Sequence, residues 1–189
     1  RWRSAERDGE LHSPNPLCAP RSQTPASRLF GSTEPEYPRR KEVPPIDFCH
    51  IPVSIIKRSE GRSAVAAAAY RSGTKLTNEW DGQTHDYTRK GGVVHAEIML
   101  PAHAPPEFAD RSTLWNSVEQ IEKARDSQLA REIEAALPRE LSREQQLALV
   151  RAYVKDNFVD KGMCADFAIH DKGTGNPHVH IMLTVRPLK

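Results

Sequence analysis

The chain has 189 residues, of which 38% are hydrophobic, and a net charge of +2. This is enough to bury the core of one soluble domain. The sequence contains neither a signal peptide nor an apolar run near the roughly 18 residues of a membrane-spanning helix, so we expect no membrane insertion. The three cysteines are scattered without zinc-site or redox spacing, which indicates reduced thiols and a cytoplasmic protein.

Residues 1–45 differ in composition from the rest of the chain. They hold eight of the fifteen prolines, many Ser and Arg residues, and almost no periodic apolar pattern. This composition predicts a disordered leader. Because the chain lacks an initiator Met, we expect either a fragment of a longer protein or a translation extended upstream of the true start, in which case the leader is not native. Residues 46–189 form the predicted globular domain. The chain stops immediately after an apolar run, so we expect this domain to be truncated at its C-terminal end.

The first half of the globular region predicts two strands and a helix. Residues 46–56 are β-branched and apolar, as in a strand. Ser63 is a good N-cap, the following alanines favour a helix, and Gly73 is a good stop. Residues 77–92 are polar and rich in turn formers, which predicts a loop or an irregular hairpin. Residues 93–100 alternate in polarity and precede a proline, which indicates another strand.

The next segment contains two helices and one ambiguous element. Asp110 caps a helix with one apolar face. Residues 130–138 have helical propensity but alternate like a strand, so both assignments are open from the residues alone. Ser142 and Gln145 form a capping box that opens a further helix, and we expect Gly162 to end it.

The chain closes with two predicted strands, residues 164–170 and 178–185. The linker between them is rich in Gly, Asn and Pro, so we expect an antiparallel hairpin. The complete order of elements predicts an α+β domain, in which helices pack on a mainly antiparallel sheet.

Three histidines surround this last turn. His178 and His180 are two residues apart on a strand and point to the same face. If the register places His170 on that face, three imidazoles converge and can hold a divalent cation with coordination positions left open. The alternative is three incidental histidines. The other histidines show no such grouping; these are His12, His50, His85, His95 and His103.

Four segments occur together in one order: SAVAAAAYRSG, HDYTRKGGVVHAEIMLP, AREIEAALPRELSREQQ and AIHDKGTGNPHVHIML. Together they resemble the MobA/MobL family of plasmid relaxases, within the HUH endonucleases, from about residue 47 to the end. The resemblance implies a metal-dependent nickase of single-stranded DNA at an origin of transfer, with Mg²⁺ or Mn²⁺ as cofactor. It also implies an antiparallel sheet with the histidine pair on a central strand. Relaxosome accessory proteins and a conjugative coupling protein are the expected partners, in a bacterial cytoplasm.

The resemblance also implies roles for particular residues. Tyr70 matches the family's nucleophilic tyrosine, and the three histidines around the last turn match its metal ligands. Glu132 and Glu134 fall on a matching E-x-E-x-A-L-P segment that is a strand in the family, which favours strand for residues 130–138. We expect one of these two glutamates to accept a hydrogen bond from a metal-binding histidine, and the sequence does not say which.

A tyrosine nucleophile has a chemical cost and an advantage. An ordinary tyrosine hydroxyl has a pKa of about 10, so forming phenolate at pH 7 costs about 4 kcal/mol. A divalent cation at the histidines would lower that cost and neutralise charge on the scissile phosphate. Attack leaves a 5′-phosphotyrosine and a free 3′-hydroxyl, so the phosphodiester bond energy is kept and the strand can be rejoined.

Other interpretations of these residues stay open. Tyr70 can instead fill a gap at a helix end, and Tyr87 is a rival nucleophile. The protein can therefore be a DNA-binding module with a structural metal site, or a hydrolytic metallonuclease in which Tyr70 is structural. Seven basic residues are candidates for contacts with DNA phosphates. These are Lys57, Arg58, Arg62, Arg71, Lys75, Arg89 and Lys90.

Overall fold

A computed structural model describes residues 51–173 and 175–188. The predicted leader and the first five residues of the first predicted strand lie outside these ranges. The strands are β1 (Val53–Lys57), β2 (Lys75–Thr77), β3 (Thr84–Asp86), β4 (Val93–Met99), β5 (Gln128–Ala136), β6 (Ala165–His170) and β7 (His178–Leu183). The helices are α1 (Ala64–Ser72), α2 (Arg111–Ile121) and α3 (Arg143–Asn157).

The central feature is a five-stranded sheet with the order β1-β5-β7-β6-β4. Every neighbouring pair in it is antiparallel. Strand β7 lies in the middle, and β6 and β7 form the predicted hairpin. Strands β2 and β3 form a separate two-stranded hairpin, so the hairpin alternative for residues 77–92 is the one observed. The α+β class with a mainly antiparallel sheet is confirmed.

Helices cover both faces of this sheet. On one face α3 packs against alternate residues of β7, including Val179 and Ile181. On the other face α1 and α2 pack with Met182. Because side chains alternate along a strand, His178 and His180 lie on the same face as Met182. The central strand therefore presents its histidines on the side that α1 covers.

Helix α1 begins and ends as its sequence predicts. The Ser63 hydroxyl accepts the N–H of Ala66 at 3.2 Å. Gly73 has φ of +66° and donates its N–H to the carbonyl of Ala69, a left-handed cap that suits glycine. Ala64, Ala68 and Ala69 are almost completely buried. Their small side chains let the helix lie close to the sheet, which brings its last turn near the central strands.

The capping residues of the other two helices are confirmed, but one helix end differs from the prediction. Helix α3 opens with the capping box and ends at Asn157. A 3-10 turn over Val159–Lys161 follows, and Gly162, with φ of +89°, closes that turn instead of the helix. The tighter turn places Val159 in the same buried cluster as Val154. Burial of one apolar side chain therefore accounts for the early end.

Residues 130–138, for which the sequence left helix and strand open, lie mostly in strand β5, as their alternating pattern indicated. It pairs with β1 on one side and β7 on the other. These two ladders satisfy the backbone of the segment, and Ile133 packs into the core. Tertiary pairing overrides the helical propensity of its Ala, Glu and Leu residues.

Candidate active site

The register of the last hairpin brings three imidazoles together. His170 lies directly opposite His178, and His180 is two residues further along β7 on the same face. The three ring centroids are 4.8 to 5.5 Å apart. One ligand nitrogen from each ring lies within 4.8 Å of the others. We call these three side chains the histidine cluster. The register of the hairpin places His170 on the same face as His178 and His180, which is the condition for their convergence.

Main-chain carbonyls hold one nitrogen on each of two rings in the cluster. His170 Nε2 lies 2.6 Å from the carbonyl oxygen of Arg71. His178 Nδ1 lies 3.0 Å from the carbonyl oxygen of Asn176. A neutral imidazole that donates from one nitrogen keeps a lone pair on the other, which is the arrangement of a metal-binding histidine. The donor set of the cluster therefore fits a divalent cation.

Burial and the nearby positive charges lower the pKa of His170 to about 4. Burial has the largest effect, and Lys90 and the other two histidines add to it. His170 is consequently neutral at physiological pH. Neutral imidazole is the form that binds metal, so His170 needs no deprotonation before it can act as a ligand.

Glu132 lies beside the third ring of the cluster. Its Oε1 lies 3.4 Å from His180 Nδ1, accepts from Arg71 Nε at 2.6 Å, and is paired with the terminal guanidinium nitrogen of the same arginine. Ser54 Oγ donates to Oε2 at 3.1 Å. Burial raises the pKa of Glu132, but the contacts with His180, Arg71 and Ser54 outweigh it and lower the pKa to about 2.

Glu134 stands further from the cluster. It pairs with His180 in the register of β5 and β7, but its Oε2 is 3.9 Å from His180 Nδ1. Its side chain is 48% exposed, whereas that of Glu132 is 12% exposed. Of the two glutamates, Glu132 is therefore the one whose position suits support of a metal-binding histidine.

Tyr70 lies in the last turn of α1 and is 48% exposed. It separates two open recesses. One, the hairpin groove, has a volume of about 400 Å³ and runs between α1 and the β2–β3 hairpin, from Gly61 to Tyr87. The other, the glycine-loop recess, has a volume of about 500 Å³ and is lined by Tyr70, Lys90, Gly91, Gly92, Asp171 and Lys172. An extended ligand bound in either recess would pass the phenol of Tyr70.

Two side chains contact the ring of Tyr70. The ammonium of Lys90 lies 3.6 Å from the ring centroid and donates to the Tyr70 carbonyl oxygen at 2.8 Å. The ring of Tyr87 meets it edge-on, with centroids 5.2 Å apart. Burial, together with the charges of Arg71 and Lys172, lowers the pKa of Lys90 to about 8. Tyr87, the rival nucleophile, thus lies against Tyr70 instead of apart from it.

Arg58 and Arg71, two of the seven candidate phosphate contacts, have mostly buried side chains that pair with carboxylates of the chain. Arg58 forms an ion pair with buried Glu119 at 2.9 Å and donates to the carbonyls of Glu119 and Glu122. Arg71 holds Glu132, as described above. Both guanidinium groups are thus engaged with carboxylates of the chain, because buried carboxylates need cationic partners. Their contact with DNA stays a prediction.

The remaining basic candidates are more accessible. Lys57 and Lys75 form only long, exposed pairs with nearby acids, at 3.7 and 4.0 Å. Arg89 is exposed, and Arg62, whose side chain is 39% exposed, lies 3.6 Å from Glu132 at the edge of the hairpin groove. Their position leaves them available for phosphate contacts, which stays a prediction.

The other histidines lie apart from the cluster in the described ranges. His95 contacts Glu97 at 2.8 Å, and His103 contacts the carbonyl of Leu188 at 3.0 Å. His85 lines the hairpin groove. The remaining two, His12 and His50, lie outside the described residues.

Comparison with known proteins finds the family that the four sequence segments resemble. The sequence model of the MobA/MobL family matches residues 62–189. "Conjugal transfer protein TraA" of Rhizobium radiobacter is 48% identical over 151 residues, which cover 75% of this chain and 14% of TraA. "Probable mobilization protein MobA" of Bifidobacterium longum is 39% identical over 140 residues, covering 74% of this chain and 25% of MobA. The chain thus spans well under half of the curated relatives it matches.

A solved structure is similar as well. The structure titled "Molecular Basis of Vancomycin Resistance Transfer in Staphylococcus aureus" superposes with a TM-score of 0.71 and 32% sequence identity. The match covers 75% of this chain and 72% of that one. Among the residues that the structure describes, no helix is both long and apolar enough to cross a bilayer.

Proposed function

The chain belongs to the MobA/MobL family of plasmid relaxases, and we propose that it nicks one strand of DNA at an origin of transfer through Tyr70. The relatives' names, conjugal transfer and mobilization proteins, support this substrate. On the same basis we propose that it acts in a bacterial cytoplasm with relaxosome proteins and a conjugative coupling protein.

One contact carries the proposal: His170 Nε2 lies 2.6 Å from the carbonyl of Arg71, the residue after Tyr70. The turn of α1 that bears the phenol is therefore fastened to the histidine cluster. A scissile phosphate bound at this junction would meet a nucleophile and a cation site together. A structural metal site alone would not need an exposed tyrosine beside it.

The reaction is a transesterification. The Tyr70 hydroxyl oxygen forms a bond to the scissile phosphorus, and the bond from phosphorus to the 3′-oxygen breaks. The phenol proton is lost, and the leaving 3′-oxygen takes up a proton to become a hydroxyl. No water is consumed, so the 3′-hydroxyl can later attack the phosphotyrosine and restore the strand.

The residues of the chain prepare this step. His170, His178 and His180 would hold the cation, which supplies neutralisation of the phosphate charge when bound. Glu132 orients His180 and, through Arg71, keeps the end of α1 against the cluster. The exposed ring of Tyr70 is left accessible to a strand from the recesses on either side.

The test uses two phenylalanine variants. Single-stranded oligonucleotides that tile the DNA upstream of the gene are incubated with protein and Mn²⁺, and SDS-resistant adducts are measured on gels. We expect wild type and Tyr87→Phe to form adducts and Tyr70→Phe to form none. Tyr87→Phe is the matched control, because its ring contacts that of Tyr70.

Each alternative gives a different result. Cleavage by Tyr70→Phe without adducts would indicate a hydrolytic metallonuclease. Loss of adducts only in Tyr87→Phe would make Tyr87 the nucleophile. Binding without cleavage by wild type on every oligonucleotide would support a DNA-binding module.

A further inference from the structure

Lys90 lines the glycine-loop recess, and its ammonium contacts Tyr70 there. Its ammonium lies 3.6 Å from the centroid of the Tyr70 ring and donates to the carbonyl of the same residue at 2.8 Å. Both contacts go to one residue, across 20 positions of sequence. A lysine that served only as a phosphate ligand would extend into the recess instead of covering a ring.

We propose that Lys90 is a positioning residue for Tyr70, which fixes the orientation of its phenol ring through a cation–π contact and a main-chain hydrogen bond. This inference rests on the proposed function of Tyr70. The ring of Tyr87 also contacts the ring of Tyr70, edge-on and with centroids 5.2 Å apart. A half-exposed ring at the end of a helix otherwise changes rotamer freely, and a nucleophile needs a fixed direction of attack.

The main chain around Lys90 is itself held in place. Its N–H donates to the carbonyl of Tyr87 at 2.9 Å, and Tyr87 donates to that of Thr74 at 3.2 Å. On the other side, Asp171 donates its N–H to the carbonyl of Gly92 at 2.8 Å. The loop is thus attached both to Thr74, the residue before β2, and to Asp171, the residue that follows His170. These attachments fix the distance between the Lys90 ammonium and the Tyr70 ring.

The charge of Lys90 is sensitive to pH in this setting. Arg71 on α1 and Lys172 after β6 are positive groups near it, and Asp171 lines the same recess. Partial burial and these cations place the pKa of Lys90 at about 8. The ammonium is present at pH 7 and is lost as the pH rises through 8, which removes the cation–π contact. Arginine would keep its charge throughout this range.

The first measurement needs no DNA. Ring carbons of ¹³C-labelled tyrosine are followed by NMR as a function of pH, and Tyr70→Phe assigns the Tyr70 signals. In wild type we expect the chemical shifts of the Tyr70 ring carbons to change with a midpoint near pH 8. Lys90→Arg and Lys90→Met should both abolish this transition. Lys172→Met is the matched control, since it removes the other recess lysine, and should keep the transition. Tyr70 signals unchanged in Lys90→Met would overturn the proposal, whatever the fate of the proposed reaction.

The second measurement separates orientation from DNA binding. Lys90→Met should slow adduct formation at saturating DNA by about 3- to 30-fold, the range of a cation–π contact, while DNA affinity stays nearly constant. Lys90→Arg should restore the rate at pH 7. About nine-tenths of a group with pKa 8 is neutral at pH 9. If neutral lysine is slower by the same 3- to 30-fold, the rate ratio of Lys90→Arg to wild type should rise about 2- to 8-fold from pH 7 to pH 9.

A different pattern of results would make Lys90 a phosphate ligand. In that case Lys90→Met would lower DNA affinity and reduce the salt dependence of binding by about one ion, with the saturated rate unchanged. A ratio of Lys90→Arg to wild type that stays constant with pH would also contradict the proposal. If no protein forms adducts, the proposed function fails, and the NMR result still decides whether Lys90 orients the ring.

Discussion

Replacing Glu132 by glutamine removes the carboxylate charge beside the histidine cluster and keeps the shape of the side chain. Glu132 is 12% exposed and contacts His180, Arg71 and Ser54. These contacts lower its pKa from an ordinary 4.5 to about 2. At about 1.4 kcal/mol per pKa unit this difference corresponds to about 3.5 kcal/mol, and solvent screening reduces it somewhat. We expect Glu132→Gln to lower the free energy of unfolding by about 2–3 kcal/mol at pH 7.

The sign of the pH dependence follows from the direction of the shift. The folded protein holds the carboxyl of Glu132 more acidic than the unfolded chain does. Its contribution to stability is therefore complete above pH 4.5 and is lost as the pH falls towards 2. The difference in stability between wild type and Glu132→Gln should narrow over that interval. Urea unfolding followed by tryptophan fluorescence measures it, since Trp115 is completely buried.

The same variant should weaken binding of Mn²⁺ by about 10- to 100-fold, because loss of a group that orients a metal-binding histidine has this effect. Titration calorimetry with Mn²⁺ measures the affinity. Glu134→Gln is the matched control: it removes the same charge 3.9 Å from the same His180, but from a side chain that is 48% exposed. We expect a stability change below about 0.5 kcal/mol for this control, with little change in Mn²⁺ affinity. If the control behaves like Glu132→Gln, or if Glu132→Gln keeps wild-type stability and affinity, the assignment of Glu132 is wrong.

Two further predictions concern the loop beside Tyr70 and the buried thiol. Gly92 has φ of +86°, and a Cβ there would lie 2.9 Å from a lysine carbon, so Gly92→Ala should cost about 1–2 kcal/mol in thermal unfolding. Gly91→Ala, where a Cβ meets open space, should cost below about 0.5 kcal/mol; equal losses would contradict the strain argument. Burial raises the pKa of Cys164 to about 11. In a variant whose other two cysteines are serine, this thiol should react with a disulfide reagent at pH 8 only after unfolding; rapid labelling of the native protein would show that it is accessible.

Local signals in the sequence were sufficient for most of the fold. Ser63 and Gly73 delimit α1 because a hydroxyl cap and a left-handed glycine act within a few residues of themselves. The histidine cluster was predictable for the same reason, since a two-residue spacing and a tight turn are short-range features. The end of α3 was not, because it depends on packing Val159 into a core formed by distant strands.

The roles of the charged residues could not be predicted in this way. Arg58 and Lys57 are adjacent in sequence, yet one is paired with buried Glu119 and the other is exposed. Composition cannot distinguish them, because the partner of Arg58 lies 61 positions away in α2, whereas Lys57 pairs only with exposed Glu60. The contact of Lys90 with Tyr70 likewise depends on how the loop before β4 folds back on α1, for which no spacing gives a signal.

Arg71 explains how an early helix and a late hairpin can make one site. Its carbonyl contacts His170, and its guanidinium holds Glu132, which in turn contacts His180. A single residue therefore fixes both sides of the histidine cluster to the turn of α1 that carries Tyr70. Because the contacts join residues 61 and 99 positions apart, the arrangement exists only when α1 is docked. The buried alanines that let α1 approach the sheet are consequently as necessary to the geometry of the site as Arg71 itself.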